Sequence, residues 1–149
     1  MADVLIREME LADIRGVMTV EAASFTTPWT EAIFRQEITE NKYAHYYVME
    51  LADKIVGYVG MWIVHDDAQI TNIAILPDFR GKKLGETLFR FSLQKAVRLG
   101  VTRLSLEVRV TNIIAQRMYR KFGLVPGGLR KQYYTDNNED ALVMWVNLT

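Results

Sequence analysis

Residues 72–89 read NIAILPDFRGKKLGETLF. The apolar alternation that ends at Leu76 predicts a strand over residues 68–76, and Pro77, which has no N–H to give a ladder, stops it. PDFRGKK, residues 77–83, reads as a loop. From Leu84 the apolar positions Leu84, Leu88 and Phe91 fall four and three apart, so a helix begins there, and Gly100 ends it. The first turn of such a helix offers unpaired backbone N–H groups and the positive end of the helix dipole. Gly81 and Gly85 let the backbone approach a ligand, and Arg80, Lys82 and Lys83 add positive charge. The loop suits a pyrophosphate, and a tight turn with solvated lysines fits the same residues. No Gly-Lys-Ser/Thr and no Gly-x-Gly-x-x-Gly follows, so neither common nucleotide fingerprint is present.

Working outward, residues 4–9 read as a first strand and residues 13–24 as a helix. Thr27-Pro28 predicts a second helix over residues 28–39, with Thr27 as N-cap, Pro28 at the first helical position and Glu31 in the first turn. Residues 43–51 and 55–64 form a hairpin about a short turn at 52–54. After the turn at 65–67 comes the strand that opened this reading. Beyond Gly100, residues 104–110 are a β-branched and Leu-rich strand. Thr111 or Asn112 caps a helix over 113–122, closed by Gly123. Pro126-Gly127-Gly128 predicts a turn, and residues 129–134 and 141–148 two last strands. The order β-αα-βββ-α-β-α-ββ implies an α/β fold: a mixed, mostly antiparallel sheet with one parallel crossover near residues 70–108 and helices on both faces.

The chain has 149 residues, half of them hydrophobic and 24% charged, the composition of one globular domain spanning residues 1–149. It has no Cys, which excludes disulfide scaffolds, zinc-thiolate sites and Cys nucleophiles. His45 and His65 lack metal-ligand spacing, so no metal is expected and both read as structural. The seven Met residues form no stripe and receive no role. The N-terminus carries Asp3, Glu8 and Glu10 without a long apolar run, so it is not a secretory signal, and no stretch is long enough to span a bilayer. A cytoplasmic enzyme without a membrane partner is expected. Eighteen basic and eighteen acidic residues balance, which disfavours generic nucleic-acid binding. That balance hides an asymmetry: residues 80–103 hold seven cations and one acid, Glu86. A solvated helix face explains this, and so does a local anion site at the loop described above.

Here the motifs gain a family. RGKKLG at 80–85 resembles motif A of the GCN5-related N-acetyltransferase (GNAT) superfamily, Arg/Gln-x-x-Gly-x-Gly/Ala after a strand. Lys83 stands where the first motif Gly is usual; if that position needs positive φ, Lys costs about 1 kcal/mol or more. LSLEVRVTNIIAQRMYRKFGL at 104–124 resembles the RimI-like branch, the ribosomal-protein N-terminal alanine acetyltransferases, through Glu107-Val108-Arg109, Asn112, Ala115, Tyr119 and Phe122-Gly123. FTTPWTEAIF at 25–34 and RKQYYTDNNEDALVM at 130–144 resemble the same branch. The likeness covers nearly the whole chain.

The resemblance implies a GNAT fold and acetyl transfer from acetyl-CoA to an amine, with the N-terminal alanine of a small-subunit ribosomal protein as acceptor. A chain α-amine titrates near about 7.7–8.0, so a single carboxylate base suffices for it at neutral pH, whereas a lysine near about 10.4 needs more help. By resemblance Glu107 is the general base and Tyr119 gives a proton to the departing thiolate. By resemblance too, the backbone of Ile73, Ala74 and Ile75 receives the pantetheine arm, and Arg80, Gly81, Lys82, Lys83, Leu84, Gly85 and Glu86 receive the pyrophosphate. Asn112 contacts acetyl-CoA, and Trp29, Tyr133 and Tyr134 line the peptide channel. Each has a plainer reading. Glu107 is then an exposed strand residue paired with Arg109 or Arg103, Tyr119 an interior helix residue, Asn112 an N-cap, and the aromatics core or surface. Other acceptors (a lysine, a small amine, aminoacyl-tRNA) keep the same fold, and a non-catalytic acyl-CoA-binding module is the reading from another class. The oligomeric state stays open.

Overall fold

The computed structural model describes residues 3–148. Seven strands form one sheet in the order β1-β2-β3-β4-β5-β7-β6. They are β1 (Val4–Glu8), β2 (Ala44–Leu51), β3 (Lys54–Val64), β4 (Asp67–Ile75), β5 (Arg103–Arg109), β6 (Val125–Arg130) and β7 (Ala141–Asn147). The helices are α1 (Ile14–Ser24), α2 (Glu31–Thr39), α3 (Leu84–Arg98) and α4 (Ile113–Lys121). Every neighbouring pair runs antiparallel except β4 and β5, the parallel crossover that α3 spans.

Alternation along β2 shows why helices cover both faces. Tyr46 and Val48 point to one side, packing with Ile14, Val17 and Val20 of α1 and Phe34 of α2. Tyr47 and Met49 point to the other, packing with Leu88, Phe89 and Ala96 of α3 and Tyr119 of α4. A period of two in the strand and of 3.6 in the helices therefore builds two apolar layers from one sheet. Phe34 is wholly buried, edge-on to Tyr58 at 5.7 Å between centroids. Truncating such a residue to Ala costs about 3–5 kcal/mol.

Two expectations are corrected. The second helix starts at Glu31, not Pro28: Thr30 is the N-cap, extended, with its side chain accepting from the Ile33 N–H at 3.2 Å. Pro28 stays in the preceding loop because the Trp29 N–H is engaged elsewhere, by Glu21 at 2.8 Å. Pro126-Gly127-Gly128 is strand rather than turn, and β6 ends at Arg130 rather than 134. Pro126 is tolerated because β6 is the sheet edge. Gly127 is the unpaired residue of a bulge. A Cβ there would sit 2.5 Å from Trp145 Cδ1, so only Gly fits.

Candidate active site

The site begins with a failure of pairing. β4 and β5 pair only at Asp67–Arg103, Ala68–Leu104 and Gln69–Ser105. Beyond Gln69 they part, and β4 is itself bulged there, Ile70 facing Met61 and Asn72 facing Gly60 with Thr71 unpaired between them. The gap opens a groove of about 530 Å³ bordered by β4, β5, the α1–α2 loop and the β6–β7 loop. Thr71 Oγ1 and Asn72 Oδ1 are buried there with no hydrogen-bond partner. Orphaned polar atoms are costly unless a ligand or water satisfies them.

At the C-terminal end of β4 the chain makes a 3-10 turn at Pro77–Phe79 and enters α3 through left-handed residues, Gly81 at φ +77° and Lys83 at φ +62°. Lys83 therefore does occupy the positive-φ position, at a cost of about 1 kcal/mol. The first main-chain bond of α3 runs from Thr87 N–H to Lys83 O, 3.1 Å. Among the described residues nothing accepts from the N–H groups of Gly81 through Glu86. This donor set, at a dipole's positive end, fits a diphosphate. The side of Ile73–Ile75 that faces away from β3 has no strand partner and fits an extended amide-bearing arm beside it. Arg80, expected to add charge at the loop, also has partners within the chain. Its Nε donates to Ile75 O at 2.8 Å and its Nη2 to Ser24 Oγ at 3.1 Å, so it braces the end of β4. Glu86 pairs with Lys121 at 2.7 Å, tying α3 to α4, and that bond holds its carboxyl below the ordinary value.

Glu107 and Tyr119 border the same groove. The Glu107 side chain is 12% exposed, and its partners are not Arg109 or Arg103 but Arg130, whose Nε lies at 3.4 Å. Gln69 Nε2 donates to both carboxylate oxygens at 3.3 Å, and the Tyr133 hydroxyl donates to Oε2 at 3.3 Å. These long contacts leave the carboxylate available to a closer donor. Tyr119 packs on Phe89 at 5.0 Å. Burial, and secondarily Tyr134, raises its phenol well above the ordinary value, so it stays protonated at working pH. Asn112 is the N-cap of α4, its Oδ1 accepting from Ala115 N–H at 3.2 Å.

The predicted channel aromatics also meet here: Trp29 from the α1–α2 loop, Tyr133 and Tyr134 from the β6–β7 loop. Burial pushes the Tyr134 hydroxyl up to about 12, against the opposing pull of Arg109. Several residues that organise the site lie within the quoted motifs but receive no site role from the sequence. Arg109 lies over the Tyr134 ring at 4.0 Å and donates to Asp136 at 2.8 Å and Glu139 at 3.2 Å. Asp136 accepts from Thr26 Oγ1 at 2.6 Å, joining the two loops across the groove. Gln116 Nε2 donates to the carbonyls of Arg109 and Val110, both at 3.0 Å, fixing the turn into α4. Among the described residues no cluster of three or more His, Cys, Asp or Glu could hold a metal, and no helix is long and apolar enough to cross a membrane.

A sheet opened between its two parallel strands, with a free helix N-terminus following the first of them and helices on both faces, is the architecture of the acetyltransferases. The sequence model of the acetyltransferase (GNAT) family matches residues 14–124; the chain belongs to that family and is an N-acetyltransferase. It is 57% identical over 143 residues to a Bacillus subtilis (strain 168) protein provisionally named ribosomal protein bS18-alanine N-acetyltransferase, covering 96% of this chain and 95% of that one. It is 30% identical over 141 residues to the Escherichia coli (strain K12) ribosomal protein bS18-alanine N-acetyltransferase, covering 93% and 94%. The crystal structure of the ribosomal-protein-S18-alanine N-acetyltransferase from Escherichia coli superposes with a TM-score of 0.91 at 27% identity, covering 99% and 95%.

Proposed function

We propose that residues 1–149 act as one domain that moves the acetyl group of acetyl-CoA to the α-amine of a protein N-terminus, the N-terminal alanine of ribosomal protein bS18 being the first acceptor to test. A ribosomal-protein acceptor would place this work in the cytoplasm. The names of the two bacterial relatives support the acceptor. The observation that carries the reaction is that a carboxylate and a protonated phenol, Glu107 and Tyr119, line one groove with Ile73 of β4, where β4 has no strand partner on its β5 side and leads through the Pro77–Phe79 turn to the unpaired N–H groups at the start of α3. Acetyl-CoA supplies an activated acyl carbon and a thiolate leaving group.

The chain's own residues do the rest. The N–H groups of Gly81 to Glu86 bind the diphosphate, with Lys82 and Lys83 adding charge. The backbone of Ile73, Ala74 and Ile75 receives the arm and aims a donor at the carbonyl oxygen, where negative charge develops in the transition state. Trp29, Tyr133 and Tyr134 hold the acceptor's first residues. Glu107 takes the proton that the amine loses as it attacks, and Tyr119 gives its proton to the departing sulfur. Asn112 keeps α4, and so Tyr119, in place by capping the helix.

A thiol-release assay with peptides differing at the first residue, each also carrying an internal lysine, tests this reading. An acetyl group on the α-amine of the alanine peptide is expected. Acetylation of the lysine, or equal turnover of an N-terminally blocked peptide, would remove it.

A further inference from the structure

Glu21 is a carboxylate that the reaction above does not use, and it is 2% exposed. It has no cation among its partners. Oε1 accepts from the Tyr58 hydroxyl, and Oε2 accepts from the backbone N–H of Trp29 at 2.8 Å. A buried carboxylate without a counter-ion is a costly group to keep for stability alone, since desolvation opposes it. Its location suggests what it does instead. It stands on α1 beside the groove, Tyr58 rises from β3 in the middle of the sheet, and Trp29 hangs on the α1–α2 loop with its ring tilted on Phe34 at 5.4 Å.

We propose that Glu21 is a positioning residue for the acceptor: its carboxylate clamps the loop of residues 25–30 to the sheet through the Trp29 amide, and so sets the wall against which the acceptor's first residue packs. The same loop reaches across the groove from its other end, where Thr26 donates to Asp136. Without the clamp the loop keeps that exposed tether, the Phe34 contact and the bonds at its two ends, Phe25 N–H to Glu21 O at 3.0 Å and the Thr30 cap of α2. The clamp therefore acts on acceptor binding, while the acetyl-CoA wall, built from β4 and the start of α3, is left alone. The role needs two hydrogen bonds, one to the Trp29 amide and one to the Tyr58 hydroxyl group, rather than a negative charge. A glutamine can supply the same geometry, its oxygen accepting from Trp29 N–H and its amide donating to the Tyr58 oxygen. This proposal rests on the groove being the acceptor channel.

The test compares Glu21→Ala, Glu21→Gln and Tyr58→Phe by two readouts: acceptor and acetyl-CoA kinetics, and hydrogen exchange of the peptide covering residues 25–31. For Glu21→Ala the Trp29 amide is expected to exchange about tenfold faster, the equivalent of one lost hydrogen bond. The acceptor KM is expected to rise by a similar factor, with the acetyl-CoA KM unchanged. Glu21→Gln recovers most of both losses, and Tyr58→Phe lies between. The proposal is overturned if Glu21→Ala leaves exchange and acceptor KM at parent values, or if both KM values rise together. It is equally overturned if Glu21→Gln is as impaired as Glu21→Ala and shifts the pH profile, because the charge would then act in the reaction itself. Should the parent acetylate no N-terminal peptide, the functional reading falls, and the exchange arm still decides whether Glu21 holds the loop.

Discussion

On the β4 side the site offers main chain: the side of Ile73–Ile75 that no strand pairs, Ile73 lining the groove itself, and further along the chain the open N–H groups of Gly81 to Glu86. On the β5–β7 side it offers side chains: Glu107 among Gln69, Arg130 and Tyr133, then Tyr134 under Arg109, and Asp136 tethered to Thr26. The first wall is specified by backbone conformation and tolerates changes of residue, as Lys83 in a left-handed position illustrates. The second is specified residue by residue, and a single deletion there removes a unique contact. A wall of amides reads a ligand through backbone shape, and a wall of side chains reads it residue by residue.

The largest expected effect tests the side-chain wall at the reacting atoms. Glu107→Gln and Tyr119→Phe should each lower kcat by about 10²-fold or more, with acetyl-CoA affinity by calorimetry close to the parent. Parent-like turnover in both variants would strip the roles from these residues.

A middle-sized effect tests the loop that carries Tyr133 and Tyr134. Arg109→Ala should raise the acceptor KM about tenfold, since it removes charge-assisted bonds to two carboxylates and a stacked cation. Those carboxylates also set a pH window. The Glu139 carboxyl is held down at about 2, below its ordinary 4.5, chiefly by the Thr111 hydroxyl, and Asp136 is lowered first by Thr26 and then by Arg109. A depressed carboxylate contributes stability that is complete above its unfolded value and is lost as pH falls toward its folded one. Protection of residues 131–140 from hydrogen exchange should therefore persist down to about pH 4.5 and fade between there and about pH 2. Fading nearer neutrality would contradict the account of this loop.

The smallest effect probes the backbone wall. Lys83→Gly relieves a left-handed residue, so Tm should rise by up to about 3 °C. Acetyl-CoA affinity should change by less than about threefold, the scale of one exposed charge. A tenfold loss would mean that the Lys83 side chain, rather than its amide, does the binding.

The same contrast explains how much was legible beforehand. Local signals reported local structure: Pro77 stopping β4, Leu84, Leu88 and Phe91 spacing α3, Asn112 capping α4. The motif likeness named Glu107, Tyr119, Trp29, Tyr133 and Tyr134 but did not place them near one another; it is the structure that lines one groove with all five. The likeness did not reveal the groove's cause, which is that β4 and β5 stop pairing after Gln69, a property of two strands far apart in the chain. Nor did it show the Thr26–Asp136 tether or the Glu21 clamp, whose partners have no common spacing. Where local chemistry competed, the nearer cap won: Thr30, not Thr27, starts α2 because Glu21 already holds the Trp29 amide. At β6 an edge position let Pro126 and Gly127 stay within a strand that their turn chemistry argued against.

A crystal structure with acetyl-CoA and an alanine-first peptide tests the central claim most directly. The account predicts the diphosphate on the amides of Gly81 to Glu86, and the acyl carbon between Glu107 and the Tyr119 hydroxyl with the peptide amine beside it. A diphosphate seated elsewhere, or an acyl group remote from those two side chains, would contradict it.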